Sequence, residues 1–152
     1  MYKIIAIGKI KEDFLTKGIL EYKKRIDAFK KLEIVELKEV NTPDISKNIE
    51  TEGEQILNKI SKDEYVITLE ILGKQLDSVE FSKHLANLET YGNSKITFVI
   101  GGSNGLSEDV KKRSNYKLSF SAMTFPHQLM RLILMEQIYR AITIMNNKEY
   151  HK

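Results

Sequence analysis

Two loops and a chain end carry the residue types that could do chemistry. The first loop, Gly101–Gly102–Ser103–Asn104–Gly105, follows the apolar run Ile96 to Ile100. Glycines after a buried strand let the backbone approach a ligand closely, and free N–H groups there bind it. The loop is not a P-loop, because no lysine followed by serine or threonine ends it. Its spacing is also wrong for the G-x-G-x-x-G dinucleotide fingerprint. It fits a tight strand-to-helix turn as well as a ligand loop. The second loop runs from Phe120 to His127 and reads FSAMTFPH. Small and apolar residues in place of charges predict a buried, shaped loop. Pro126 suits the first turn of a helix and holds Phe125 extended. An apolar wall with free backbone donors and acceptors suits an adenine ring. A loop that plugs the core has the same composition.

The chain end, Tyr150–His151–Lys152, offers an aromatic ring, an imidazole and an ammonium in three residues. A frayed tail is the ordinary alternative. Arg140 stands four residues after Glu136, which allows an ion pair along one helix face or a phosphate or base contact. His84 reads as a structural or surface residue. His127 fits a helix start or a ligand contact equally. No two histidines have metal-ligand spacing and there is no cysteine, so no metal is expected. No G-x-S-x-G elbow is present, so hydrolase chemistry has no support.

The elements that would position these residues follow from apolar periodicity. Short apolar runs at Tyr2 to Gly8, Leu32 to Leu37, Tyr65 to Leu69, Ile96 to Ile100 and Tyr116 to Phe120 predict strands. The partial alternation of LEIVEL places its strand nearer an edge. Apolar spacings of three and four predict helices over Glu12 to Lys31, from Asp44 or Ser46 to Ser61, and from Asp77 or Ser78 to Tyr91. Gly53 weakens the middle of the second of these. Gly73 is expected in the loop after the third strand. A short helix follows the glycine loop. The last helix, His127 to about Asn146, is apolar almost all round, so it should pack on its own sheet and on a second surface, most simply a partner subunit. Strands alternating with helices predict an α/β fold with a mostly parallel sheet. The two loops then leave the carboxyl ends of strands, where open α/β sheets bind ligands.

The chain has 152 residues, enough for one domain over 1–152. It holds no cysteine, which fits a reducing, cytoplasmic setting. The N-terminal apolar run is too short for a signal peptide. The most apolar segment, Leu129 to Met145, is interrupted by Arg131, Glu136 and Arg140, so no membrane association is expected. Net charge is +3, unevenly spread. Residues 1–31 hold nine Lys/Arg against four Asp/Glu, 32–90 hold six against thirteen, and 91–152 hold nine against four. Two basic ends that met in space would suit a polyanion; solvated helix faces would give the same count.

GGSNG, then YKLSFSAMTFPH, then RLILMEQIYRA and the terminal YHK resemble the RlmH (YbeA) family of SPOUT methyltransferases. The resemblance extends to IIAIGKIK, ILEYKKRI and TEGEQIL, and so to essentially the whole chain. It implies an α/β SPOUT fold with a C-terminal trefoil knot and a homodimer. It also implies S-adenosyl-L-methionine as cofactor, and N3-methylation of a pseudouridine in 23S rRNA of the large ribosomal subunit. The cofactor contacts it implies are Leu69, Gly101, Phe120, Ser121, Ala122, Met123, Thr124 and Phe125. His151 and Arg140 become candidates to remove the N3 proton or stabilise the resulting anion, with Tyr150 stacking on a base. RNA contact is expected from Lys17 to Lys31 and from Lys111, Lys112 and Arg113, with no DNA partner. Two other readings remain: a SPOUT enzyme acting on tRNA, and a non-enzymatic ribosome-binding module.

Overall fold

Five aliphatic runs form the strands of one sheet in a computed structural model that describes all of residues 1–152. They are β1 (Tyr2–Ile7), β2 (Leu32–Leu37), β3 (Tyr65–Gln75), β4 (Ile96–Ile100) and β5 (Tyr116–Ser119). Every pairing is parallel and the order is β2-β1-β4-β3-β5. Between and after them run α1 (Asp13–Asp27), α2 (Ile45–Leu57), α3 (Ser78–Thr90), α4 (Glu108–Arg113) and α5 (His127–Met145).

The two-residue period of a strand divides the core in two. Tyr2, Ile4 and Ala6 face one side with Ile67, Phe98 and Leu118, and are covered by α1, α3 and α5. Ile5, Ile7, Val66 and Val99 face the other and are covered by Ile56 of α2 and Val110 of α4. β4 lies between β1 and β3, so all five of its residues are buried. β2 is an edge strand; its Glu33 is exposed on one face and its Glu36 lies on the other, toward α5.

Local signals set the helix starts. The Asp44 carboxylate accepts from the Lys47 N–H at 3.1 Å and opens α2. Asp77 and Glu80 form a reciprocal capping box at α3, with bonds of 2.7 and 3.0 Å. α1 stops at Asp27, short of the expected Lys31, because the Asp27 carboxylate accepts from the Leu32 N–H at 3.0 Å and turns the chain into β2.

Two expectations need correction. β3 does not end at Leu69. It bulges, then pairs with β5 again, so that Leu69 and Lys74 both oppose Leu118. Gly73 therefore lies within the strand, not in a loop after it. A Cβ there would sit 2.7 Å from the Lys117 carbonyl oxygen, which explains the glycine. Gly53 also has a packing reason. A Cβ at that position would lie 2.3 Å from Ser107 Oγ, so the glycine lets α2 seat on the start of α4.

No residue of α5 is exposed. Leu134, Met135, Ile138, Ala141 and Ile142 are buried against the sheet, α1 and α3. Met130, Leu132 and Ile133 are half-buried, with α1 approaching so closely that a Cβ on Gly18 would sit 3.0 Å from Leu132 Cδ1. No helix is long and apolar enough to cross a membrane.

Candidate functional site

The β3 bulge and the loops that leave the carboxyl ends of β4 and β5 meet around one cavity of about 510 Å³. That is within the usual range for a cofactor pocket. The β3 bulge contributes Leu69, Glu70, Ile71 and Leu72. Leu72 is 97% exposed, which marks this wall as the pocket's mouth.

The glycine loop contributes Gly101, Gly102, Ser103 and Gly105. It closes on itself through the Gly105 N–H, which donates to the Gly102 carbonyl at 3.1 Å. Gly105 has φ +87°, a left-handed conformation that favours glycine. A Cβ on Gly101 would meet Leu106 Cδ2 at 2.9 Å. The loop is thus a tight turn and a pocket wall at once. Ser107 ends it, its side chain accepting from the Val110 N–H at 3.2 Å to start α4.

The third loop contributes Phe120, Ser121, Met123, Thr124, Phe125 and Pro126. Hydroxyls hold its shape. Ser119 Oγ donates to the Ser121 carbonyl at 3.0 Å, and the Met123 N–H donates to Ser121 Oγ at 3.0 Å. The loop is not buried as expected: Phe120, Ser121, Phe125 and His127 are half-buried and Pro126 is exposed. Ala122, Met123 and Thr124 are exposed, because the loop forms the pocket rim instead of plugging the core. Of the eight expected cofactor contacts, Leu69, Gly101, Phe120, Ser121, Met123, Thr124 and Phe125 line the cavity and Ala122 does not. His127 and Met130 of α5 close the floor.

Sequence reasoning missed two groups beneath this site. Arg131 is the largest fully buried side chain, 1% exposed. It pairs with Glu36 at the end of β2 and donates to the Gly8 carbonyl at 3.0 Å. Burial lowers its pKa, which the Glu36 carboxylate opposes. The available signal was its place inside an all-round apolar helix, where it read only as an interruption. Glu52, 4% exposed, lies where a Cβ on Gly102 would come within 3.2 Å of its Oε1. Its Oε2 accepts from the Val40 N–H at 2.9 Å. Burial pushes its carboxyl up, with Glu39 adding to the shift.

Arg140, Tyr150 and His151 come together, but away from the pocket. Arg140 Nη2 reaches Glu136 Oε1 at 2.5 Å, the expected i, i+4 pair, and Arg140 Nη1 lies 3.0 Å from His151 Nδ1. The Tyr150 hydroxyl donates to Glu136 Oε1 at 3.2 Å and lies 3.1 Å from the Tyr22 hydroxyl of α1. Burial and these contacts raise the Tyr150 pKa well above the ordinary phenol. Along α5, Arg140 stands roughly 15 Å from Met130 at the pocket floor, from the helical rise. One chain therefore does not join the tail to the pocket. His84 is structural: it packs 4.3 Å from Tyr116 and 6.3 Å from Tyr65, ring to ring.

The basic surface is smaller than its residue count suggests. Arg113 donates to the Ser61 and Glu64 carbonyls at 3.0 and 2.8 Å, so it clamps a turn. On α1, Lys23 and Arg25 pair with Asp27 and Glu21 at 2.7 Å each.

Comparison with known proteins gives the chain a family. A family model described as "Predicted SPOUT methyltransferase" matches residues 1–151. A protein of Bacillus thuringiensis named ribosomal RNA large subunit methyltransferase H is 54% identical, covering 98% of each chain. One of Methanococcus vannielii, named putative ribosomal RNA large subunit methyltransferase H, is 52% identical with the same coverage. A solved structure of a probable methyltransferase from Bordetella pertussis superposes with a TM-score of 0.55 at 12% identity, covering 93% of this chain and 95% of that one. That last likeness concerns the fold alone. On the strength of the family match and the full-length relatives, the chain belongs to the SPOUT methyltransferase family.

Proposed function

We propose that this protein transfers a methyl group from S-adenosyl-L-methionine to N3 of a pseudouridine in 23S rRNA of the large ribosomal subunit. The observation that carries the reading is the pocket itself. The β3 bulge and two strand-end loops enclose a cavity with an apolar wall of Leu69, Phe120, Phe125 and Met130, and Gly101 and Gly102 let the glycine loop pack tightly on Leu106, Ile7 and Glu52 along its edge. This fits a flat adenine ring beside exposed backbone donors and acceptors. The close relatives, by their names, act on large-subunit rRNA.

The cofactor supplies an electrophilic methyl carbon when bound; orientation and exclusion of water fall to the chain. Leu69, Phe120, Ser121, Met123, Thr124 and Phe125 would hold the adenosyl end, with Gly101 against it and Ala122 on the outer side of the loop. Arg140, Tyr150 and His151 would meet the target base. These two groups lie at opposite ends of α5, so the reading requires a homodimer in which one chain's tail serves its partner's pocket. The exposed Phe14 and Leu20 of α1 supply apolar surface for that contact. The reading also takes residues 1–152 as one domain, with α5 threaded through a loop of the chain as a trefoil knot, working in the cytoplasm.

The substrate is expected to be rRNA within the assembled ribosome, recognised by shape across the dimer. The test is incubation with methyl-labelled cofactor and either ribosomes or bulk tRNA. Label in 23S rRNA at a pseudouridine is the expected result. Label in tRNA alone would point to a tRNA enzyme. No label with tight ribosome association would point to a binding module.

A further inference from the structure

One hydrogen bond in the C-terminal cluster has only one possible direction. Arg140 Nη1 lies 3.0 Å from His151 Nδ1. A guanidinium has five N–H donors, no acceptor, and keeps its charge at any ordinary pH. It must donate, so His151 Nδ1 presents a bare lone pair to it. A neutral imidazole then carries its single proton on the other nitrogen. His151 in this arrangement is the Nε2–H tautomer.

Arg140 is held from its opposite side, which keeps Nη1 aimed at the imidazole. Its Nε and Nη2 donate to Glu136 Oε1 at 2.9 and 2.5 Å. Its guanidinium carbon lies 4.9 Å from the centre of the Tyr150 ring. Tyr150 is fixed in turn by Tyr139, edge to face at 4.8 Å, and by the Tyr22 hydroxyl at 3.1 Å. Neither nitrogen of His151 is therefore open to take a proton. The Nδ1 lone pair is engaged by Arg140, and Nε2 already bears hydrogen.

We infer that His151 donates a hydrogen bond to the target base through Nε2–H, and is not the group that removes the N3 proton. The inference rests on the methyltransferase reading above. N3 of a pseudouridine stands between two carbonyls. Loss of its proton to solvent water spreads the negative charge over N3 and both carbonyl oxygens. The Nε2–H of His151 donates to one of those oxygens, and the Arg140 charge behind the ring strengthens the donor. The N3 electron pair forms the new bond to the methyl carbon as the carbon–sulfur bond breaks, and sulfur keeps that electron pair.

Two measurements test this on the full-length protein. With ¹⁵N-labelled histidine, long-range ¹H–¹⁵N spectra report each ring's tautomer, and the His151 signals are those lost in His151→Gln. The Nε2–H form is expected at neutral pH; the Nδ1–H form would overturn the assignment. The second is methyl transfer to ribosomes by the wild type, His151→Gln and His151→Ala. Glutamine keeps an N–H donor and has no basic nitrogen. His151→Ala should lose about 100-fold or more in kcat, as removal of a transition-state donor does, while His151→Gln stays within about tenfold of wild type. His151→Gln as inactive as His151→Ala would overturn the donor role. Wild-type rates in His151→Ala would overturn any role for this side chain. An inactive wild type on ribosomes and tRNA alike would instead overturn the methyltransferase reading.

Discussion

Arg131 Nη2 donates to the carbonyl oxygen of Gly8 at 3.0 Å, across the gap between α5 and the end of β1. The same guanidinium pairs with Glu36 at the end of β2. The helix that floors the pocket is thereby tied to two strands it does not follow in sequence. A charged group this deep is retained at a desolvation cost, and its partners must offset that cost. Arg131→Met keeps much of the volume but leaves the Gly8 carbonyl without this donor. It should lower stability by about 1–3 kcal/mol, the cost of an unsatisfied buried polar group. Glu36→Gln leaves the guanidinium buried without its counter-charge and should also destabilise. Urea unfolding of the two variants measures both effects.

Glu64 anchors the opposite end of the sheet. Burial alone would raise its carboxyl, but the Lys3 ammonium at 2.5 Å, the Thr97 hydroxyl at 2.6 Å and Ser61 hold it near 2. A carboxyl whose folded pKa lies below its unfolded value stabilises the fold above that unfolded value. The contribution fades as pH falls from about 4.5 toward 2. Glu64→Gln should lower stability at pH 7 and flatten this acid limb. Denaturation midpoints across that range would show no flattening if the carboxylate were idle.

Gly53 gives a sign that helix propensity alone gets wrong. Alanine in mid-helix gains about 1 kcal/mol over glycine. Here its Cβ would meet Ser107 Oγ at 2.3 Å and Ser107 Cβ at 2.8 Å, forcing α2 away from α4. Overpacking of this kind costs about 1–3 kcal/mol, so Gly53→Ala should be neutral to destabilising by thermal or urea unfolding. A stabilised variant would mean that the two helices separate freely.

Removal of Tyr150, His151 and Lys152 separates the two halves of the proposed site. These residues do not line the pocket. The truncated chain should bind S-adenosylmethionine nearly as tightly as the full chain and transfer no methyl group. Labelled-methyl transfer to ribosomes checks this, and full activity would remove the tail from the mechanism.

Elements with strong local patterns were legible before the structure. LEIVEL carries two charges because β2 lies at the sheet edge, and ITFVI carries none because β4 is central and buried on every side. What pattern could not supply depends on partners far along the chain. The return of β3 after its bulge needs β5 across from it. Arg131 finds Gly8 and Glu36, 123 and 95 residues earlier. Arg113 looked like a phosphate contact in a run of three cations, yet tertiary carbonyls take it. The pocket loops were placed correctly at strand ends. Their exposure was not, since composition alone cannot tell a pocket rim from a core plug.

The proposed chemistry depends most directly on whether the cavity bounded by the β3 bulge and the two strand-end loops holds S-adenosylmethionine. Calorimetric titration of the full-length protein addresses this without any RNA. The expected result is saturable binding, competed by S-adenosylhomocysteine and weakened in Phe120→Ala, which removes part of the apolar wall. A flat titration of folded protein would contradict the assignment of the pocket and the chemistry built on it.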